Sequence, residues 1–580
     1  MARSRLLTLS LLALAALGAV RTMAQSSAPL RVDPDNPRYF MDGGGAPVYL
    51  AGSHAWLNFQ DAGFTSPPPQ FDYTRYLDFL VANNHNFIRL WTWEEAKWIQ
   101  EYHGNYFFDP LPYQRTGPGT ALDGGLKFDL TKFNQAYFDR LRARCIEAGR
   151  RGIYVSVMLF DGWSVMNDYM PGTADNTPFN GHPMNAANNI NGINGDPAGT
   201  TNGKALHTMT LPAARAIQEA YVRKVIDTIN DLNNILYEIS NESHAESTDW
   251  QYYFINFIKS YEKQKPNQHP VGMTAQWPDD NTNAKLFASP ADWISPNWKN
   301  YTDNMPAADG SKVILLDTDH VFGIGGNRAW IWKSFLRGMN IPWMDVYDRA
   351  YPWITDATDD TLRDSRKNLG YTVAYSRRIN LRAMIPQEKL SSTGYCLAGT
   401  DTARAEYLVY SEWGGGLSID LSAAHHRLHV EWFNPSSGNT IDGGFIDGGA
   451  PRSLIPPFTG DAVLYISSPS LLSVSATPGG GNVPVEALHV EQNYPNPFNP
   501  STQIRFSLGA EGRVTLIIYD AAGTEAAKLV NADMTPGTYT AVWNAKGMAS
   551  GVYFYRLELR TGRGGTARVY ASTNKFLLVR

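Results

Sequence analysis

Between residues 47 and 348, short apolar runs rich in β-branched and aromatic side chains alternate with segments of helical period. The runs at 47–56, 85–93, 153–163, 234–242, 271–277, 293–298, 312–320 and 341–348 read as eight strands. They are near-continuously apolar rather than alternating, as parallel strands covered on both faces are. Asn134 is placed to cap a helix in which Phe138, Leu141, Cys145 and Ala148 recur at helical spacing, with Gly149 where that helix should stop. Residues 211–232, with Ile217, Tyr221, Val225 and Ile229, and residues 250–263 repeat the pattern. Strand–helix alternation predicts an α/β fold with a parallel sheet, and eight repeats predict closure into a (β/α)8 TIM barrel. No glycine-rich dinucleotide or phosphate-loop fingerprint follows the first strand.

Catalytic groups of such barrels come from the C-terminal ends of the strands. The fourth run ends on Asn241 and Glu242, so Glu242 is the candidate proton donor of a carbohydrate-cleaving site. The same reasoning selects His54, Trp91, Trp93, Asp161, Asp317, Asp319, His320, Trp343 and Asp345 as substrate-facing, with Arg89 inside the second run and Trp277 and Trp298 as further aromatic candidates. Each tryptophan is equally suited to core packing. Asp161, His320 and Asp345 are polar groups that need partners at a pocket. Asp317, Asp319 and His320 also make a possible metal-ligand set. The chain has neither an HxH nor an HExxH spacing, so the expectation is no metal and no cofactor. The Asn- and Gly-rich stretch 164–210, carrying His182 and His207, is expected to form a lid or subsite wall.

Beyond about residue 386 the pattern changes to short strands between Gly, Pro and Asn turns, predicting a small β-sandwich. A Gly/Pro-rich linker and a second all-β module follow. A formal charge of -5 without a long basic run argues against a nucleic-acid partner. Arg3 and Arg5 precede an apolar run over 6–20 and the small-residue site around Ala24, which reads as a signal peptide with no membrane span in the mature chain. Cys145 and Cys396 are read as two separate buried thiols.

Asn241-Glu242, the Phe128–Phe133 hexapeptide, Asp317 to His320, Ala329 to Lys333 and Met344-Asp345 together resemble the apiosidase-like glycoside hydrolases over residues 30–470. The resemblance implies that Glu242 is the acid/base, that Asn241 holds the 2-hydroxyl of the sugar, and that Asp319 is the nucleophile oriented by Arg89. Chemistry asks for such a pair, one acid protonated and one ionised. Strand alternation puts Asp317 and Asp319 on one side, with Asp319 nearer the strand end. Residues 432–438 and 456–461 resemble the collagen-binding-type module that accompanies such barrels. Residues 492–502, 514–520, 550–556 and 575–580 resemble a type IX secretion sorting domain, which implies a Gram-negative source and the type IX machinery as partner. The expected organisation is signal peptide 1–24, barrel 25–385, sandwich 386–470, linker 471–486 and sorting domain 487–580. The expected function is a secreted or cell-surface glycosidase acting on a plant-type poly- or oligosaccharide with retention. The alternatives are an inactive glycan- or matrix-binding protein and a metal-dependent hydrolase.

Overall fold

The structure is a computed structural model of the 580-residue chain and describes residues 27–100, 104–166, 177–279, 281–347, 359–399, 401–468, 488–490, 492–535, 537–561 and 568–579. The expected signal peptide, the linker 471–486 and residues 167–176 of the long Asn-rich stretch lie outside the described residues.

Eight parallel strands occupy the positions of the eight apolar runs: β1 (Ala51–His54), β2 (Phe87–Leu90), β3 (Tyr154–Asp161), β4 (Ile235–Asn241), β5 (Val271–Thr274), β6 (Trp293–Ser295), β7 (Val313–Ile314) and β8 (Ile341–Met344). Strands β2 to β7 form one parallel sheet in chain order, and β8 pairs in parallel with β1. Two links connect these pieces: Leu316 N donates to Asn340 O at 2.8 Å, and Asn86 N donates to Ala51 O at 3.0 Å. The second link requires Gly52, because a Cβ there would lie 2.2 Å from Phe87 O.

The strands are shorter than the apolar runs, for identifiable reasons. Pro47 and Val48 leave β1 for the edge of a small antiparallel sheet with residues 31–32 and 40–41. Proline has no N–H for a central ladder, and an edge tolerates it. The run 312–320 is strand only at Val313–Ile314; Asp317 then caps a helical turn, its Oδ1 accepting from Asp319 N at 2.9 Å. An aspartate bonding the backbone two residues on competes with the sheet. Strand alternation therefore does not govern where Asp317 and Asp319 point.

The helices are α1 (Tyr73–Ala82), α2 (Gln135–Arg150), α3 (Pro212–Ile229), α4 (Thr248–Glu262), α5 (Thr282–Ala288), α6 (Thr318–Val321), α7 (Arg328–Leu336) and α8 (Asp359–Arg378). Asn134 caps α2 as expected, accepting from Ala136 N at 3.3 Å. Gly149 does not end it: the helix continues to Arg150, and the left-handed residue is Gly152 at φ 72°. Gly149 is instead a packing glycine, since a Cβ there would sit 3.0 Å from the Asn234 side chain.

After α8 an antiparallel six-stranded sheet spans residues 384–467, and residues 417–420 pair with 451–454. It shares a core with the parallel-sheet region. Buried Trp332 of α7 packs against Tyr375 of α8 at 5.7 Å, and against Phe433 and Tyr410 of the sheet at 5.7 and 6.4 Å. Arg328 reaches Asp461 at 2.9 and 3.0 Å, and Arg378 grips Glu431 at 2.6 Å through both nitrogens. Residues 488–578 form a three-stranded and a four-stranded sheet around a separate core that includes Trp543, Tyr555 and Phe576. Among the described residues no helix is long and apolar enough to cross a membrane.

Removing residues from 469 onward is expected to leave the unfolding midpoint of the remainder unchanged. Ending the chain at 386 strips the cover from Trp332 and is expected to give insoluble protein. Trp332→Ala in the full chain should cost about 3–5 kcal/mol in urea denaturation.

Candidate active site

The ends of β2, β4 and β7 converge on one buried cation. Arg89 is 2% exposed and lies in the fully buried strand β2 between Ile88 and Leu90. Its Nε and Nη2 grip the Glu238 carboxylate at 2.9 and 2.5 Å. Nη2 also donates to Asn241 Oδ1 at 2.7 Å, and Nη1 to Asp317 Oδ2 and Asp319 Oδ2 at 3.0 and 3.3 Å. The guanidinium lies 4.9 Å over the Trp91 ring. Burial opposes its charge, but Glu238 and Asp317 outweigh burial and hold it firmly protonated.

These contacts fix the neighbouring hydrogens. Arginine can only donate, so the Asn241 atom facing it is the amide oxygen. His320 Nε2, 3.0 Å from that oxygen, must then carry the ring hydrogen, and Nδ1 accepts from Ser295 Oγ at 2.7 Å. Burial, reinforced by Arg89, lowers the His320 pKa to about 3, which keeps the ring neutral. Both ring nitrogens are therefore engaged.

Asp317 is 1% exposed and fully occupied by His54 Nε2 at 2.9 Å, the Asp319 N–H and Arg89. Burial works against its charge, but His54 and Arg89 hold the carboxyl well below the usual range. Asp319 is more open, its side chain 8% exposed, and burial set against Arg89 leaves its pKa at about 6. Glu242 follows β4 with φ 44°, and burial, then Asp319 and Asp161, raise its carboxyl well above the ordinary range. Ligand atoms of Glu242, Asp319 and His320 lie within 4.8 Å of one another. Among the described residues a cation here would be held by the two carboxylates, because the one lone pair of neutral His320, on Nδ1, is taken up by the Ser295 hydroxyl. Asp317, expected in the metal-ligand set, lies outside this group.

The other expected residues fall in different surroundings. His54 is buried and stacks on Trp91 at 5.9 Å. Trp91 and Trp93 are buried and pack with Trp56 at 6.1 and 6.3 Å. Trp343 is buried beneath Gly326 beside Trp330, and Trp298 is exposed. Asp345 is fully buried and gripped by Arg366 at 2.8 and 2.5 Å, so it faces an internal ion pair rather than the carboxylate group. Asp161, also fully buried, accepts from Ser164 N and Oγ at 3.2 and 2.9 Å. Ser164 bonds Glu95 as well, and burial raises Glu95 to about 8.

Sequence reasoning missed Glu238, Glu94 and Ser243. For Glu238 a signal existed: a charge inside a fully apolar parallel strand must be paired. Glu238→Ala leaves Arg89 without its bidentate partner in a dry site and is expected to cost about 3–5 kcal/mol in urea denaturation. Glu238→Gln, which keeps the shape and one acceptor, should cost less.

Residues 95–284 match a domain of unknown function, DUF6298, and residues 492–566 match a secretion system C-terminal sorting domain. No curated protein matches the chain. Among solved structures, a candidate glycoside hydrolase of Bacteroides vulgatus ATCC 8482 is 13% identical with a TM-score of 0.50, covering 78% of this chain and 83% of its own. A glycoside hydrolase family 5 protein of the same organism is 14% identical with a TM-score of 0.49, covering 77% of this chain and 95% of its own. The chain thus has a glycoside-hydrolase-like fold and ends in a secretion sorting domain.

Proposed function

We propose that the chain is an exported glycoside hydrolase in which Glu242 is the acid/base and Asp319 the nucleophile. The observation that carries this reading is the pair of facing carboxyls, within 4.8 Å, whose surroundings differ. Glu242 has burial and three acids, Asp319, Asp161 and Asp317, against its charge, with Arg89 in favour. Asp319 has Arg89 in direct contact. Glu242 therefore keeps its proton for the leaving oxygen while Asp319 ionises and attacks the anomeric carbon. An oxygen–oxygen approach of at most 4.8 Å is closer to the roughly 5 Å spacing of retaining enzymes than to the roughly 6.5–9.5 Å that inversion needs to seat a water. Asp317 is unsuited to attack because its oxygens are already bound. Asn241, its oxygen held by Arg89 and His320, is left with Nδ2 to donate to a hydroxyl beside the reacting carbon.

The wider reading is that the six- and two-stranded parallel sheets are the wall of one (β/α)8 barrel over residues 25–385. The sandwich 386–470 is its structural partner, and residues 487–580 are a type IX address removed after passage across a Gram-negative outer membrane. The resemblance to apiosidase-like enzymes supports a plant-type polysaccharide as substrate. A screen of polysaccharides and aryl glycosides tests the activity, and no turnover on any of them by the purified mature chain would favour a glycan-binding role.

Glu242→Gln is expected to lower turnover of a phenyl glycoside by about 10²–10⁴-fold, with a smaller loss on a 2,4-dinitrophenyl glycoside, whose leaving group needs little protonation. Activity within a few-fold of the parent on both would remove Glu242 from its role.

Asp319 must be ionised to attack, so kcat/KM should rise through pH of about 6 and fall again at the higher pH where Glu242 loses its proton. Proton NMR of the first product should show the anomer of the substrate. An inverted anomer would make Asp319 a base rather than a nucleophile.

A further inference from the structure

Residues 177–207, part of the stretch 164–210 expected to form a lid or subsite wall, are tied into the end of β4 by buried contacts. We propose that Glu94, His207 and Ser243 form a brace that sets the position of Glu242, making them positioning residues for the acid/base step. The proposal rests on the reading of Glu242 given above.

The need for a brace follows from the backbone. Glu242 has φ 44°, a left-handed conformation that residues bearing a Cβ adopt only where their surroundings impose it. On one side Gly162 imposes it: its N–H donates to Asn241 O at 2.7 Å, and a Cβ on Gly162 would lie 2.4 Å from Glu242 O and Ser243 N. On the other side the next residue is locked. Ser243 is fully buried, its Oγ lies 2.9 Å from His207 Nδ1 and 2.6 Å from Ser240 Oγ, and its carbonyl accepts from Trp277 N at 3.1 Å.

His207 is fixed in its turn. It is fully buried, stacks on Trp250 at 4.3 Å and 17°, and its Nε2 lies 3.3 Å from Glu94 Oε1. That approach is an electrostatic contact without hydrogen-bond geometry, and with the ring hydrogen on Nε2, Nδ1 accepts the Ser243 hydroxyl hydrogen. Glu94 is oriented from two further directions: Oε1 accepts from Asp161 N at 2.9 Å, and Oε2 faces His182 Nε2 at 3.3 Å. His182 Nδ1 already accepts from Met184 N at 3.0 Å, so its hydrogen also points at Glu94. Burial opposes the Glu94 charge, but the two imidazoles outweigh it and hold the carboxyl down at about 2.

The order carboxylate, imidazole, hydroxyl is that of a hydrolytic triad, yet His207 and Ser243 are both fully buried, and no substrate carbonyl could reach the hydroxyl. What the chain of contacts can do is transmit position. It joins the segment after β2, the stretch 177–207 and the end of β4 into one unit ending one residue from the proposed acid. A displacement of about 1 Å at a reacting group can cost 10²-fold in rate.

The test compares Ser243→Ala and the isosteric Glu94→Gln with the parent full chain, using the phenyl and 2,4-dinitrophenyl glycosides of the sugar the parent cleaves. Ser243→Ala is expected to lower kcat on the phenyl glycoside by about 10–100-fold, to change KM little, and to affect the dinitrophenyl glycoside by less than about three-fold, since only proton delivery is disturbed. Glu94→Gln should shift the same ratio in the same direction by less, and serves if Ser243→Ala does not fold. Reintroducing a hydroxyl with Ser243→Thr should restore part of the lost kcat. Parent-like kcat on the phenyl glycoside in both variants, or equal losses on the two glycosides, overturns the brace while Glu242→Gln remains inactive. If Glu242→Gln is itself active, the reading of Glu242 fails first and the brace with it.

Discussion

A single guanidinium buried among three carboxylates organises the centre of this protein. An isolated charge the size of Arg89 would be several kcal/mol too costly to bury. It is tolerated because Glu238 takes two of its hydrogens, Asn241 shares one, and Asp317 and Asp319 take the rest. Those acceptors come from β4 and from the turn after β7, while the arginine comes from β2. The need to satisfy five N–H groups in one place therefore pins three strand ends to a common point. With Glu238 and Asp317 already neutralising Arg89, little of its charge is left to stabilise Asp319.

That unequal sharing produces the chemical asymmetry of the site. Asp317 and Asp319 are two positions apart, the first capping the helical turn that contains the second, yet the first is saturated by His54, Arg89 and a backbone N–H, while the second touches Arg89 only at 3.3 Å. Among the described residues Glu242 has no ion-pair partner, and Asp319, Asp161 and Asp317 all oppose its charge. Two carboxyls of similar intrinsic acidity are thus driven toward opposite protonation states by their contacts alone, which is what acid/base division of labour needs.

Beyond the site, the polar networks are arranged as supports rather than as open surface. Asp345 and Arg366 pair inside the fold, Ser164 ties Asp161 to Glu95, and the imidazoles of His182 and His207 close on Glu94. The accessory sheet contributes similarly. It covers Trp332 on the outer helices and ties Asp461 to Arg328 at the start of α7.

The sequence alone determined a great deal where the signal is local. Apolar runs located the eight strands, because a strand covered on both faces must be apolar throughout, the strand-end rule singled out Asn241 and Glu242, and Arg89 was picked out inside the second run. The tail was legible because its motif is contiguous, and residues 492–566 do match a secretion sorting domain. Strand ends and side-chain directions were not legible. Asp317 takes up the Asp319 N–H and turns the chain into a helix, so the two aspartates are sorted by a cap rather than by alternation. Which polar groups meet across 94, 182, 207 and 243, or across 89, 238 and 317, depends on contacts remote in sequence. Only the tertiary structure decided those, because a buried charge is satisfied by whatever the fold brings beside it, and residue spacing along the chain carries no record of that.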